Sequence, residues 1–121
     1  MPILQVYTTL ARSQIPTKFA ANTAQLLCKL LNKPTKGMTI CVNSDQIIYH
    51  GLNPDSRAPA SLSTLRNIGK MSADVNRTAT QALSKHFETE LGIKSTDSKF
   101  VFIEITGSEL GLQGQLISDF P

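Results

Sequence analysis

Apolar side chains open the chain as a strand: Ile3, Leu4, Val6 and Tyr7 are followed by Thr8 and Thr9, predicting β-structure over residues 3–8. The period then changes. Ile15, Phe19, Leu26, Leu27, Leu30 and Leu31 recur at helical spacing, with Ser13 as a cap and Pro16 in the first turn. Asn32-Lys33-Pro34 stops that helix, because the residue before a proline resists the α region. Residues 38–42 read as a strand, 43–45 as a turn and 46–50 as a short strand. A polar loop, Gly51-Leu52-Asn53-Pro54-Asp55-Ser56, carries breakers.

From about Pro59 the pattern restarts. Residues 60–66 predict a strand and Asn67-Ile68-Gly69-Lys70 a turn. A second helix follows, capped by Ser72 or Asp74, striped by Val75, Ala79, Ala82, Leu83, Phe87 and Leu91, and closed by Gly92. Residues 99–105 form the longest β-rich run, and a glycine-punctuated tail over 107–121 has room for short strands. The class is therefore α+β: two β-α-β units forming a four-stranded mixed sheet with two helices on one face. Phe100 and Phe102 alternate with Val101 and Ile103, so both faces of that strand call for burial. Two helices cover only one, and self-association is expected to cover the other.

Composition narrows the function. The 121 residues are expected to make one domain, 40% hydrophobic and 17% charged, hence globular. Twelve Lys and Arg against nine Asp and Glu leave a net charge of +3. The basic residues are scattered, without aromatic interleaving, which argues against a nucleic-acid groove and leaves room for a small anionic ligand. Cys28 and Cys41 sit on apolar stretches and read as buried thiols. His50 and His86 lack metal spacing and read as surface residues. No signal peptide or apolar run of membrane length is recognisable, so a cytoplasmic location and no membrane partner are expected.

Pro2 raises the chemical question. At the first position of a strand a proline is simply tolerated. If Met1 is removed, however, the Pro2 ring nitrogen becomes a free secondary amine, and so a base. Asn76-Arg77-Thr78 matches a glycosylation sequon but lies inside the second predicted helix, and carries little weight.

Four stretches in order, Met1-Pro2, Asn32-Lys33-Pro34, Asn67-Ile68-Gly69-Lys70 and Asn76-Arg77, together with the tail Gly111-Leu112-Gln113-Gly114, resemble the macrophage migration inhibitory factor and D-dopachrome tautomerase family. The resemblance implies a homotrimer with a pocket between subunits, in which Pro2 is the catalytic base. It implies that Lys33 binds the substrate anion and that the Ile68 backbone contacts substrate. Phe102 and Glu104 fall where relatives supply pocket groups from a neighbouring subunit. The implied reaction is keto–enol or dopachrome-type tautomerisation of a small aromatic substrate, with no cofactor. Relatives also act outside cells without a signal peptide, which adds a cell-surface receptor as an implied partner.

Physical chemistry supports the assignment. A terminal amine titrates at roughly 7.7–8.0, and an apolar pocket or a nearby lysine lowers that value toward neutrality. Without the resemblance, Lys33 reads as a cation answering a helix C-terminus, and Ile68 as core. Departures from the family pattern are visible. Ala60 and Ser63 stand where some members carry a C-x-x-C pair, Phe102 lacks a hydroxyl, Glu104 brings a negative charge, and Leu112 stands in place of a tail tryptophan. Three readings stay open: a tautomerase, a cytokine-like signalling protein of the same fold, and a monomeric ferredoxin-like ligand-binding domain.

Overall fold

Both β-α-β units are present in the computed structural model, which describes residues 1–55 and 57–121. Ser56, the end of the expected polar loop, lies outside the described residues. The first unit is β1 (Ile3–Thr8), α1 (Phe19–Leu31) and β2 (Thr39–Asn43). The second is β3 (Ser61–Ile68), α2 (Ala73–Leu91) and β4 (Ser98–Ile105). A hairpin of β5 (Gly111–Leu112) and β6 (Gln115–Leu116) follows. Its turn is Gln113-Gly114, both at positive φ, as a tight two-residue hairpin requires. The sheet order is β2-β1-β3-β4. Strands are parallel within each unit, as a crossover helix demands, and β1 pairs antiparallel with β3 to join the units. The first strand of the chain is therefore interior to the sheet.

The core lies between one sheet face and the two helices. Leu4, Val6 and Thr8 of β1 alternate inward and meet Ser61, Ser63, Leu65 and Asn67 of β3. Phe19, Thr23 and Leu27 form the buried stripe of α1, and Ala79, Leu83, Phe87 and Leu91 that of α2. The Phe87 ring meets Phe19 at 5.7 Å and Phe100 at 5.2 Å, both edge-on, tying the two helices to β4. Among the described residues nothing covers the opposite face: Val101 is 46% and Ile103 37% exposed. Among the described residues no helix is long and apolar enough to cross a membrane.

Several local expectations are corrected. Helix α1 begins at Phe19, not at the Ser13–Pro16 signal. Gln14 Oε1 accepts the Ala11 N–H at 2.8 Å and closes a separate 3-10 turn over Arg12–Gln14. Pro16 then holds Ile15 extended, and its own carbonyl accepts the Phe19 N–H at 3.0 Å. Residues 46–49 form no strand, because no partner strand lies beside them; Ile47 is fully exposed and Tyr49 75% exposed. Asn67 and Ile68 belong to β3, paired to Glu104 and Ile105, so the turn starts only at Gly69. Cys41 is exposed on the uncovered face and Cys28 half-buried. His50 is buried, its Nε2 at 2.9 Å from the Ser61 carbonyl, and so is not a surface residue. Ser72 caps α2 by accepting the Val75 N–H, and Gly92 closes it at φ +68°, as the sequence indicates. Asn76 lies in α2 with its Nδ2 donating to the Met71 carbonyl at 3.2 Å.

His86 is half-buried between the helices, stacked on Phe19 at 5.6 Å and 3.0 Å from Thr23 Oγ1. Burial lowers its pKa below the ordinary 6.5, and Glu90 opposes this only in part. The unfolded chain therefore takes up this proton first as pH falls. The stabilisation is complete above 6.5 and is lost as pH falls through the lower folded value. Urea midpoints measured between about pH 7 and 5 should fall in the wild-type chain and fall less steeply in His86→Gln.

Candidate active site

Pairing on both sides fixes the position of Pro2. Its carbonyl accepts the Thr39 N–H at 3.0 Å, which extends the β1–β2 ladder by one bond. On the other side the Ile3–Arg66 pairing, continued by one residue, sets Pro2 opposite Asn67. The Pro2 side chain is fully buried on the helix-covered face.

Lys33 reaches this point because α1 ends where it does. Asn32 takes the left-handed conformation at φ +52°, and the N–H groups of Asn32 and Lys33 both donate to the Cys28 carbonyl. The chain turns back, and Lys33 Nζ donates to the Ile68 carbonyl at 3.3 Å. Gly69 permits the backbone turn beside it. A Cβ there would stand 3.7 Å from Lys33 Nζ and 3.4 Å from Asn67 Nδ2, and the φ of +142° excludes most side chains. Pro2, Lys33 and Ile68, three of the residues singled out in the sequence, are thus gathered at one end of the β1–β3 pair.

Met1 reports the electrostatics. Its α-amine pKa is lowered from 8.0, first by burial and second by the Lys33 cation. A positive charge is disfavoured at this spot, and an anion would be favoured. The Met1 side chain runs into a cavity of about 190 Å³. There a Cβ on Gly37 would lie 3.3 Å from Met1 Cγ. Met38, Leu110 and Leu112 supply apolar wall, and Lys36 is the charged residue of the lining. A larger groove of about 570 Å³ beside Arg12, Ile15 and Phe19 runs along the far part of β2 and does not include Pro2 or Lys33.

The remaining candidates lie elsewhere within the chain. Phe102 pairs with Leu65 and packs half-buried against the chain's own core. Glu104 lies on β4, two strands from β1, and its Oε1 accepts the Met71 N–H at 2.8 Å. In its own chain Glu104 therefore holds the β3–α2 connection and does not face Pro2. Sequence reasoning missed Lys36, Gly37 and Leu110. The only trace of them was a Lys-Gly pair behind Pro34 and an apolar residue ahead of Gly111.

A family model described as macrophage migration inhibitory factor (MIF) matches residues 1–118. A macrophage migration inhibitory factor homolog of Trichinella spiralis is 29% identical over 114 residues, covering 94% of this chain and 97% of that protein. One from Trichuris trichiura is also 29% identical, with the same coverage. The solved structure of the macrophage migration inhibitory factor from Trichinella spiralis superimposes with a TM-score of 0.86 at 27% identity, covering 94% of this chain and 98% of that one.

Gly69→Ala should destabilise the protein by about 1–3 kcal/mol in a urea titration, because it forces a Cβ at positive φ against Asn67 and Lys33. A change within about 0.3 kcal/mol would mean that this turn is not constrained as described.

Proposed function

Because the chain belongs to the macrophage migration inhibitory factor family, we propose that it is a tautomerase in which Pro2, freed of Met1, is the general base. The observation that carries this reading is the burial of Pro2 next to the Met1 amine, whose cationic form burial and Lys33 together disfavour. An amine there stays neutral nearer to pH 7 than a free terminus does. The proposed substrate is a small aromatic keto or enol acid, of the phenylpyruvate or dopachrome type. Its anionic group pairs with Lys33, and its ring occupies the space Met1 vacates, against Met38, Leu110 and Leu112. The Pro2 lone pair takes a proton from the carbon next to the carbonyl, and the electron pair moves to oxygen as an enolate. Lys33 stabilises that charge. The protonated proline then returns the proton to oxygen, completing the ketone-to-enol step. The reverse direction uses the same groups in the opposite order.

The reading includes a homotrimer. Three features support self-association: the uncovered sheet face, the unpaired edges of β2 and β4, and the stretch 46–49 with Ile47 and Tyr49 in solvent. Isolated apolar residues on a surface are ordinary, whereas a whole uncovered sheet face beside free edges calls for a partner.

A second reading, a cytokine-like role outside cells through a receptor, is favoured by Phe102 and Glu104, which bring no hydroxyl and a negative charge to positions where relatives supply pocket groups. It separates from the first by experiment: receptor binding that survives Pro2→Gly does not depend on the base.

In Met1-free protein, Pro2→Gly should lower the tautomerisation rate of phenylpyruvate-type substrates by about 10²–10⁴-fold. Protein that retains Met1 should be inactive. Lys33→Ala should raise KM more than it lowers the urea midpoint. Wild-type rates no higher than those of Pro2→Gly would remove the base from the mechanism. Light scattering should return three times the 13.2 kDa chain mass; a monomer would exclude a pocket shared between subunits.

A further inference from the structure

We infer that Asn67 is a positioning residue for the base: once Met1 is gone, its side-chain oxygen accepts a hydrogen bond from the Pro2 ring nitrogen and fixes where that nitrogen's lone pair points. The inference rests on the reading of Pro2 as the base.

Asn67 is 3% exposed and carries a polar group that the fold does not satisfy. Its Nδ2 reaches Met71 Sδ at 3.7 Å, a weak acceptor, and its Oδ1 has no partner among the described residues. A buried amide oxygen without a donor is destabilising, and an apolar residue of similar size would serve packing better. Its position supplies a reason for an amide. Asn67 stands across the β1–β3 pair from Pro2, and both are buried on the helix-covered face. Opposed residues on one face of an antiparallel pair have Cβ atoms about 4.5–5.5 Å apart, within reach of an asparagine amide. The amide also shares the Lys33 crevice, since Asn67 Nδ2 and Lys33 Nζ flank the same face of Gly69.

The missing donor has a chemical origin. While Met1 is attached, the Pro2 nitrogen is a tertiary amide without hydrogen. Cleavage of the Met1–Pro2 bond turns it into a secondary amine with one N–H and one lone pair. That hydrogen is created on the residue that stands across the strand pair from Asn67 and its unpartnered oxygen. With the N–H directed to Asn67, the lone pair is left to face the space vacated by Met1. After proton uptake the ammonium has two hydrogens, one held by Asn67 and one free to return to substrate. Lys33, from the α1–β2 connection, opposes that ammonium, as it does the Met1 amine; Lys36 lines the adjoining cavity. Glu104, next to Asn67 on β4, is engaged by the Met71 N–H. Asn67 is thus the neutral acceptor that keeps burial and Lys33 from suppressing proton uptake altogether.

The test uses Met1-free protein with isotope-labelled proline, titrating the Pro2 nitrogen by NMR in wild type and in Asn67→Leu. Loss of a hydrogen bond to the charged form should lower the titration midpoint by about one pH unit. It should lower kcat by about tenfold while KM changes less than about twofold, as for a misdirected lone pair. In protein that retains Met1, the same substitution should leave the urea midpoint equal or higher, because no N–H is lost there. Asn67→Ser, too short to span the gap, carries the same expectation should the leucine variant fail to fold. Midpoints that agree within about 0.2 pH unit across wild type and variant would overturn the inference. If wild-type protein does not tautomerise, the enzymatic reading fails on its own, and the midpoints still decide whether Asn67 holds the amine.

Discussion

Everything at the site depends on the first strand being an inner strand. Residues 3–8 pair on one side with β2 and on the other with β3, and the Pro2 carbonyl adds one more bond to Thr39. A chain terminus is usually frayed and solvated, and its amine then titrates like a free peptide's. Here two ladders and a layer of helices hold Pro2 in place, and burial and the Lys33 charge lower the pKa of the Met1 amine attached to it. The rest of the architecture serves that restraint. Asn32 in the left-handed conformation turns Lys33 back toward β3, and Gly69, at φ +142°, allows the strand to turn beside the lysine. Remove the inner position of β1, and the same residues become an ordinary surface terminus beside two lysines.

The order of elements was legible because each has a strong local signal. Both helices carry an apolar stripe, and Asn32-Lys33-Pro34 and Gly92 mark where they stop. What failed was local chemistry with a competitor. Ser13 looked like a helix cap, but Gln14 satisfied the Ala11 backbone first and closed a separate turn. Residues 46–50 had strand-like side chains, but a strand is defined by its ladder, and among the described residues they make only a backbone bond from Gln46 to Thr8 and an isolated bridge from His50 to Asn53. His50 read as exposed because nothing in its neighbourhood announced the Ser61 carbonyl that it meets across eleven residues.

The site was partly legible for the same reason. Pro2 and Lys33 could be named because they stand in short motifs and carry a recognisable chemistry, a potential amine base and a cation. Lys36 and Gly37 could not, because their role depends on where Met1 lies, which is a matter of tertiary placement. Asn67 read as part of a turn and of a family motif, with no role of its own. Its proposed role follows from the register, which sets it across from Pro2, and from an oxygen without a donor among the described residues. Glu104 was expected to reach the pocket from a neighbouring subunit; in its own chain it accepts the Met71 N–H, two strands from β1.

The central claim is that the Pro2 amine is neutral near physiological pH because it is buried beside Lys33. The pH dependence of kcat/KM for Met1-free protein measures this in the free enzyme. The rate should rise with pH and level off, with its midpoint clearly below the 8.0 ordinary for a terminal amine. A midpoint at or above that value, or a rate that does not respond to pH on its acid side, would contradict the claim.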